Sequence, residues 1–196
     1  MGIMIKNNFT DEELIKNFQE GDRQSFNELV YRYKDKILNF LYRFMHDMDA
    51  AEDLAQETFI KVYLKKDSYK EIFKFSTWLY TIASNLAKTE LRKRKRRKTY
   101  AISEITKSEK EHNYFIDDDS RQDKILDNNE NNILHESIHS LEQNFRTIII
   151  LREIQELSYD NISKILKLPL GTVKSRINRG KLKLREILIE KGVKRI

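Results

Sequence analysis

Between Leu157 and Arg185 two amphipathic segments are separated by a break only a few residues long, and few folds accommodate that spacing. Ser158 can cap a first helix by accepting a hydrogen bond from a free amide of its first turn, and Ile162, Ile165 and Leu166 then fall on one apolar face. Pro169 cannot donate a backbone hydrogen bond and disfavours helix at Leu168, and Gly171 adds backbone freedom. A second helix is therefore expected to begin near Gly171, seated on the protein by Val173, Ile177, Leu184, Ile187 and Leu188. The pattern is that of a helix-turn-helix.

The opposite face of the second helix carries Thr172, Lys174, Ser175, Arg176, Asn178, Arg179 and Lys181, and Ser158 and Tyr159 stand at the start of the first. Cations of this kind pair with phosphates, and their polar neighbours can read base edges in a DNA major groove. Arg176 and Arg179 are the best candidates for base-edge or phosphate contacts in the duplex, whereas Lys174, Ser175 and Lys181 suit phosphates that fix register. A merely solvated basic hairpin could use the same residue types, but it has no need of so tight a turn.

The charge is unevenly spread along the 196 residues, whose net formal charge is +6. Residues 1–98 hold 20 Lys and Arg against 15 Asp and Glu, residues 99–130 hold 4 against 9, and residues 141–196 hold 13 against 6. Two basic blocks thus flank an acidic connector, which suits a polyanionic partner. No apolar run is long enough to span a membrane and no signal-peptide pattern opens the chain, so a cytoplasmic protein without membrane insertion is expected. With no cysteine, a disulfide scaffold and a Cys-based zinc site are excluded. His135 and His139 share one helical face, but no third ligand stands near them in sequence, so neither metal nor cofactor is expected.

One proline and five glycines leave the helical spacing almost uninterrupted, which predicts an all-α protein. Thr10 with Glu13 forms a capping-box pattern before a short helix ending near Gly21. A longer helix, about Arg23 to Phe44, buries Phe26, Leu29, Val30, Tyr33, Ile37, Phe40, Leu41 and Phe44. Asp49 with Glu52 resembles the next start, running through Leu54, Ala55, Phe59 and Val62 to Leu64, and a polar basic loop follows from Lys65 to Lys74.

From about Ser76 a helix with Leu79, Ile82, Ala83, Leu86 and Leu91 on its core stripe leads into the Arg-Lys run. Its outer side holds Thr77, Tyr80, Thr81, Ser84, Asn85, Lys88 and Arg92, a mixture able to capture unstacked bases of a single strand. Lys70, Phe73, Lys74, Phe75 and Trp78 extend that candidate surface, although each aromatic could equally belong to the core. Arg92 to Lys98 is seven consecutive basic residues, too concentrated to be paired internally and suited to a phosphate backbone.

Residues 99–130 have few large apolar groups and an acidic centre, Asp117 to Asp119, so they read as a flexible linker. Two small helical domains are expected on either side, 1–98 and 131–196. Ile133, Leu134, Ile138, Leu141, Phe145, Ile148, Ile149 and Leu151 mark one or two helices that complete a C-terminal core around the helix-turn-helix.

The run Phe145-Arg-Thr-Ile-Ile-Ile-Leu-Arg-Glu-Ile, followed by Leu157-Ser-Tyr-Asp-Asn-Ile and Gly171-Thr-Val-Lys-Ser-Arg, resembles region four of sigma-70 family transcription initiation factors of the extracytoplasmic-function group. Independently, Ala51-Glu-Asp-Leu-Ala-Gln-Glu-Thr-Phe and Phe75-Ser-Thr-Trp-Leu-Tyr-Thr-Ile-Ala-Ser-Asn-Leu-Ala resemble region two. Together the matches span roughly residues 22–98 and 134–190, in the family's order. Glu142-Gln143 stands where the family often has a proline, and Gln155-Glu156 replaces a commoner acidic-glycine pair.

The resemblance implies a binding protein, with chemistry left to RNA polymerase. Region two would engage the clamp coiled coil of the largest polymerase subunit through Glu52, Asp53, Gln56 and Glu57, and its next helix and preceding loop would open and read the minus-ten element. Region four would dock on the flap of the second-largest subunit and place its second helix in the minus-thirty-five major groove. An anti-sigma protein is a further partner the resemblance implies. No sensory extension is expected after residue 190, nor an additional promoter-recognition domain at the N-terminus. Two other readings are a stand-alone helix-turn-helix regulator and a nuclease using Glu52, Asp53 and Glu57 with a divalent metal. For the nuclease the sequence offers no accompanying nucleophile or positioned base.

Overall fold

The computed structural model describes residues 9–108 and 129–193, and among them all regular structure is helical. The acidic centre of the expected linker lies outside the described residues. In chain order the helices are α1 (Asp11–Gln19), α2 (Arg23–Met45), α3 (Met48–Leu64), α4 (Phe75–Ser108), α5 (Asn129–Ser140), α6 (Gln143–Ile149), α7 (Tyr159–Leu166) and α8 (Leu170–Glu190). A 3-10 turn at Lys66–Ser68 and a π-helical turn at Ile150–Ile154 complete the set.

Local chemistry fixes most of the starts. Thr10 and Glu13 form the capping box: the Glu13 amide donates to Thr10 Oγ1 at 3.2 Å, and the Thr10 amide donates to Glu13 Oε2 at 2.7 Å. Helix α3 takes its cap two residues before the Asp49 expected from sequence, because Asp47 Oδ1 accepts from the Ala50 amide at 3.0 Å. Asp47 can do so because His46 ends α2 in the left-handed conformation, at φ 55°. Burial opposes ionisation of Asp47, but the Ala50 amide and the Arg94 guanidinium at 2.9 Å hold its carboxyl below the ordinary range. Arg94, a member of the basic run, is thus paired with Asp47 and also lies 3.4 Å from Glu90, so that run is partly neutralised from within. Helix α4 itself continues ten residues beyond Lys98, through a stretch without proline or glycine.

In the N-terminal half α2 is the central element. Leu29, Tyr33, Ile37, Phe40, Leu41 and Phe44 are buried at helical spacing, with Tyr33 edge-on to Phe75 and Phe40 edge-on to Tyr80 of α4. Phe18, Phe26 and Tyr63 pack together where α1, α2 and α3 meet. In the C-terminal half Ile148, Ile149, Ile150, Leu151, Ile162, Ile165, Val173 and Ile177 are all buried. The two halves do not keep separate cores. Arg146 of α6 donates to Phe44 O at the end of α2 at 3.2 Å, Tyr80 of α4 donates to Gln155 Oε1, and buried residues of both halves form one continuous cluster.

Two backbone details differ from the sequence reading. The left-handed residue in the helix-turn-helix turn is Lys167, at φ 54°, whereas Gly171 already lies inside α8. After the π-helical turn Glu156 adopts φ 52°, at the place where the family's acidic-glycine pair would put glycine. A left-handed conformation costs a residue with a Cβ roughly 1–2 kcal/mol, and glycine escapes that cost at the expense of unfolded-state entropy. Gly180 has a different role: a Cβ there would lie 2.9 Å from Ile149 Cγ1, so its bare backbone lets α8 approach α6.

Glu156→Gly should therefore stabilise the fold by about 0.5–1 kcal/mol, read from urea denaturation. Gly180→Val should destabilise it by about 1–3 kcal/mol through overpacking against Ile149. An unchanged midpoint for Gly180→Val would mean that α6 and α8 are not in this contact.

Candidate nucleic-acid and polymerase interfaces

On α8, Val173 and Ile177 are buried and turn the intervening residues away from the core. Lys174, Asn178, Arg179 and Lys181 are exposed, while Thr172, Ser175 and Arg176 are half-buried. Lys181 is engaged by Glu153 at 3.0 Å, and Ser175 Oγ donates to Thr172 O at 3.0 Å. Among the described residues no carboxylate forms an ion pair with Lys174, Arg176 or Arg179, which leaves three cations within six residues on one helical face. Ser158 Oγ caps α7 by accepting from the Asn161 amide at 3.2 Å, and the Arg152 guanidinium lies 4.9 Å from the centre of the Tyr159 ring. Arg152 also donates to Leu157 O at 3.0 Å, tying the π-helical turn to the start of the helix-turn-helix.

In the N-terminal half the loop before α4 is held by unusually specific contacts. Gln19 Nε2 donates to Lys66 O at 2.7 Å and to Tyr69 O at 3.1 Å, Lys66 Nζ donates to Phe18 O at 2.9 Å, and Tyr69 donates its hydroxyl to Phe73 O at 2.8 Å. At the other end Glu12 Oε1 accepts the Phe75 amide at 2.9 Å, fixing the start of α4 to α1. Within this frame Ser68, Tyr69, Lys70, Ile72, Phe73 and Trp78 line a cavity of about 210 Å³. Burial first, then the carboxylates of Glu12, Glu71 and Asp11, pushes the Tyr69 phenol up to about 12, so it stays a neutral donor.

The three candidate aromatics separate here. Phe75 is fully buried against Tyr33 and belongs to the core. Trp78 is partly buried, tilted against Tyr69 at 5.4 Å between ring centres, and contributes to the cavity wall. Phe73 is exposed at the cavity rim beside Lys70 and Lys74.

Along α4 the expected outer stripe is only partly at the surface. Asn85 and Arg92 are exposed, and Lys88 is half-buried, its ammonium depressed by burial and then by Arg92. Thr77, Tyr80 and Ser84 are buried. Tyr80 packs on Phe40 and reaches Gln155, and Lys164 of α7 sits 4.7 Å from the centre of the Phe73 ring. Helix α7 therefore covers part of the face from which an unstacked strand would be held. Thr77 Oγ1 and Ser84 Oγ are buried there without a hydrogen-bond partner.

On α3 Ala51, Leu54, Ala55, Thr58 and Val62 face inward, leaving Glu52, Asp53, Gln56 and Glu57 exposed together. Glu57 pairs with Lys61 at 3.1 Å. The same face continues into Ile60, Tyr63 and Leu64, with Leu64 73% exposed, so the acidic patch adjoins an apolar one. Sequence reasoning did not single out Ile60, Leu64, Tyr69 or Ile72. The first two break the amphipathic rule for a solvated helix, a signal the sequence does carry. The other two act through the loop's fold and have no sequence signature.

No helix among the described residues is long and apolar enough to cross a membrane. A family model for sigma-70 region 2 matches residues 29–97, and one for sigma-70 region 4 matches residues 131–184. The chain is 39% identical over 191 residues to the ECF RNA polymerase sigma factor SigW of Bacillus subtilis, covering 96% of this chain and 98% of that protein. It is 37% identical over 177 residues to the RNA polymerase sigma-H factor of Pseudomonas aeruginosa, covering 87% and 90%. Its fold matches a Bartonella quintana structure described as the sigma factor RpoE in complex with the anti-sigma factor NepR, at a TM-score of 0.66 and 27% identity over 88% of this chain and 99% of that one. The fold also matches CnrH in complex with the cytosolic domain of CnrY, at a TM-score of 0.66 and 19% identity over 92% and 97%. The chain belongs to the sigma-70 family, within its extracytoplasmic-function RNA polymerase sigma factors.

Proposed function

We propose that this sigma factor divides promoter recognition between its two ends, as a binding factor that catalyses no reaction itself. The face of α8 with Arg176 and Arg179 reads the minus-thirty-five element in the major groove, with Lys174, Ser175 and Lys181 on phosphates and Thr172, Asn178, Ser158 and Tyr159 beside them. The cavity walled by Tyr69 and Trp78, rimmed by Lys70, Phe73 and Lys74, receives an unstacked base of the minus-ten element. Asn85, Lys88 and Arg92 guide the strand along α4. At about 210 Å³ the cavity is smaller than the roughly 300–1,000 Å³ of drug-sized clefts, and its aromatic wall and cationic rim suit one planar base on an anionic backbone. That cavity is the observation that carries the reading, because a stand-alone helix-turn-helix regulator has no use for it. The seven-residue basic run lies directly downstream on the same helix.

The exposed patch of Glu52, Asp53, Gln56 and Glu57, extended by Ile60 and Leu64, is the docking surface for the clamp coiled coil of the polymerase, and the C-terminal half docks on the flap. The Bartonella quintana relative is held by an anti-sigma factor, and a comparable inhibitor is proposed for this chain. The domain limits consistent with these roles are 1–98 and 131–196, joined by 99–130.

The test is transcription in vitro with core polymerase on a fragmented bacterial genome. Discrete start sites sharing two upstream elements are expected, and no initiation above core polymerase alone would refute the proposal. Arg176→Ala should lose roughly 1–3 kcal/mol of upstream-element affinity if the guanidinium contacts a base in bidentate fashion. Unchanged promoter selectivity would remove that contact. Trp78→Ala should leave duplex binding intact but cost about 1–3 kcal/mol in strand capture. The readout is weaker permanganate reactivity of the downstream element, and full reactivity would move the base platform elsewhere.

A further inference from the structure

We propose that the polymerase-free chain is held shut by an interleaved cluster of rings, Tyr42, His135, His46 and His139, and that protonation of this cluster releases the C-terminal half from the strand-capturing face of the N-terminal half. Tyr42 and His46 come from the end of α2, and His135 and His139 come from α5. The ring centres of Tyr42 and His135 are 4.6 Å apart, those of His135 and His46 4.9 Å, and those of His46 and His139 4.5 Å, with interplanar angles of 23–25°. Tyr42 and His46 are themselves 6.5 Å apart, so the rings of the two halves alternate in a bent cluster. Among the described residues no group of three or more His, Cys, Asp or Glu is placed to hold a metal ion, whereas the His46–His135 contact suits a shared proton.

The Nδ1 atoms of His46 and His135 are 3.0 Å apart. One must donate and the other accept, so the pair accommodates one proton between two neutral rings. A second proton would set two donors against each other and place cationic charge in a seam where His135 is only 3% exposed. His135 Nε2 is buried without a hydrogen-bond partner.

The surrounding charge does not relieve this. Arg43 on α2 and Arg146 on α6 are cations, the latter donating to His139 O and to Leu141 O. Asp47, which follows His46, is held by Arg94 of α4. Glu136 is the carboxylate on α5 beside His135, and it is engaged at 2.7 Å by Lys191 at the end of α8. Burial first, then His46, Arg43 and His139, depresses the His135 imidazole from 6.5 to about 4, with Glu136 opposing.

The sign follows from linkage. In the open form His135 returns to water and its ordinary range, so the open form binds the proton more tightly. The contribution of His135 to closure is present in full above about pH 6.5 and is lost progressively as the pH falls towards 4. At pH 5.5 this one residue shifts the open-to-closed ratio by about tenfold.

Closure matters because it seats Lys164 over Phe73 and Gln155 on Tyr80. On the reading proposed above, the two promoter elements are by their names about 25 base pairs apart, roughly 85 Å of duplex at 3.4 Å per pair. A chain whose helix-turn-helix touches the minus-ten loop cannot occupy both, so closure is autoinhibitory.

The test uses the full chain, whose lack of cysteine permits specific spin labels at Glu71→Cys and Asp160→Cys, both exposed and flanking the contact of Lys164 with Phe73. The label separation should be short at pH 7.5 and lengthen as the pH falls to 5.0. In His46→Phe/His135→Phe/His139→Phe, which keeps rings in the cluster but cannot take up protons there, it should stay short throughout. A separation already long at pH 7.5, unchanged to pH 5.0, or lengthening equally in the variant would overturn the proposal. Imidazole proton resonances of the unsubstituted chain give a second readout that needs no variant to fold. One histidine should titrate well below 6.5, and four titrating at 6.5 or above would also overturn it. Both readouts are made without DNA or polymerase, so their failure would leave the promoter reading intact.

Discussion

Arg146 holds together the ends of helices from the two halves of the chain. Its guanidinium donates to Phe44 O at the end of α2 and to His139 O and Leu141 O at the end of α5. Terminal helix carbonyls lack intrahelical donors and carry the negative end of the helix dipole, so a half-buried cation placed between two of them satisfies both at once. Burial depresses the Arg146 guanidinium, but it starts far above neutrality and remains charged. The histidine cluster, the Tyr80–Gln155 bond and the Lys164–Phe73 contact all depend on α5, α6 and α7 lying where this arginine fixes them.

That seam gives α4 two occupants for one face. Leu79, Ala83 and Ala87 are committed to the N-terminal core, but Thr77, Tyr80 and Ser84 are buried while having the chemistry of a nucleic-acid surface. Two of their hydroxyls are buried without partners, an arrangement less favourable than a fully paired interface. A polar face covered in this incomplete way separates more readily than an apolar core does, which suits a surface needed later for a strand. The acidic and apolar patch on α3 lies open at the same time. On the reading proposed above, polymerase docking can therefore precede exposure of the strand-capturing face.

The helices and their caps were largely legible in the sequence because each depends on near neighbours: Thr10 with Glu13, Ser158 with Asn161, Pro169 before α8. The cationic face of α8 was legible for the same reason, since helical period alone separates it from Val173 and Ile177. What the sequence could not display were contacts between distant positions. His46 and His135 are 89 residues apart, and only folding gives the pair on α5 its third imidazole. Burial of Thr77, Tyr80 and Ser84 was hidden because their polarity argued for the surface, and a second module overrode it. The assignment of Asp49 as a cap failed over two residues, because the left-handed His46 placed Asp47 at the helix start instead. Left-handed Glu156 was foreshadowed by the missing family glycine, but its conformation required the π-helical turn before it.

The account's central claim is that one chain has two arrangements, closed when alone and open when it spans a promoter. The separation between labels at Glu71→Cys and Asp160→Cys, measured at neutral pH first on the free chain and then with core polymerase and promoter DNA, addresses that claim most directly. A short distance that becomes long in the promoter complex is the expected result. The same distance in both would contradict it.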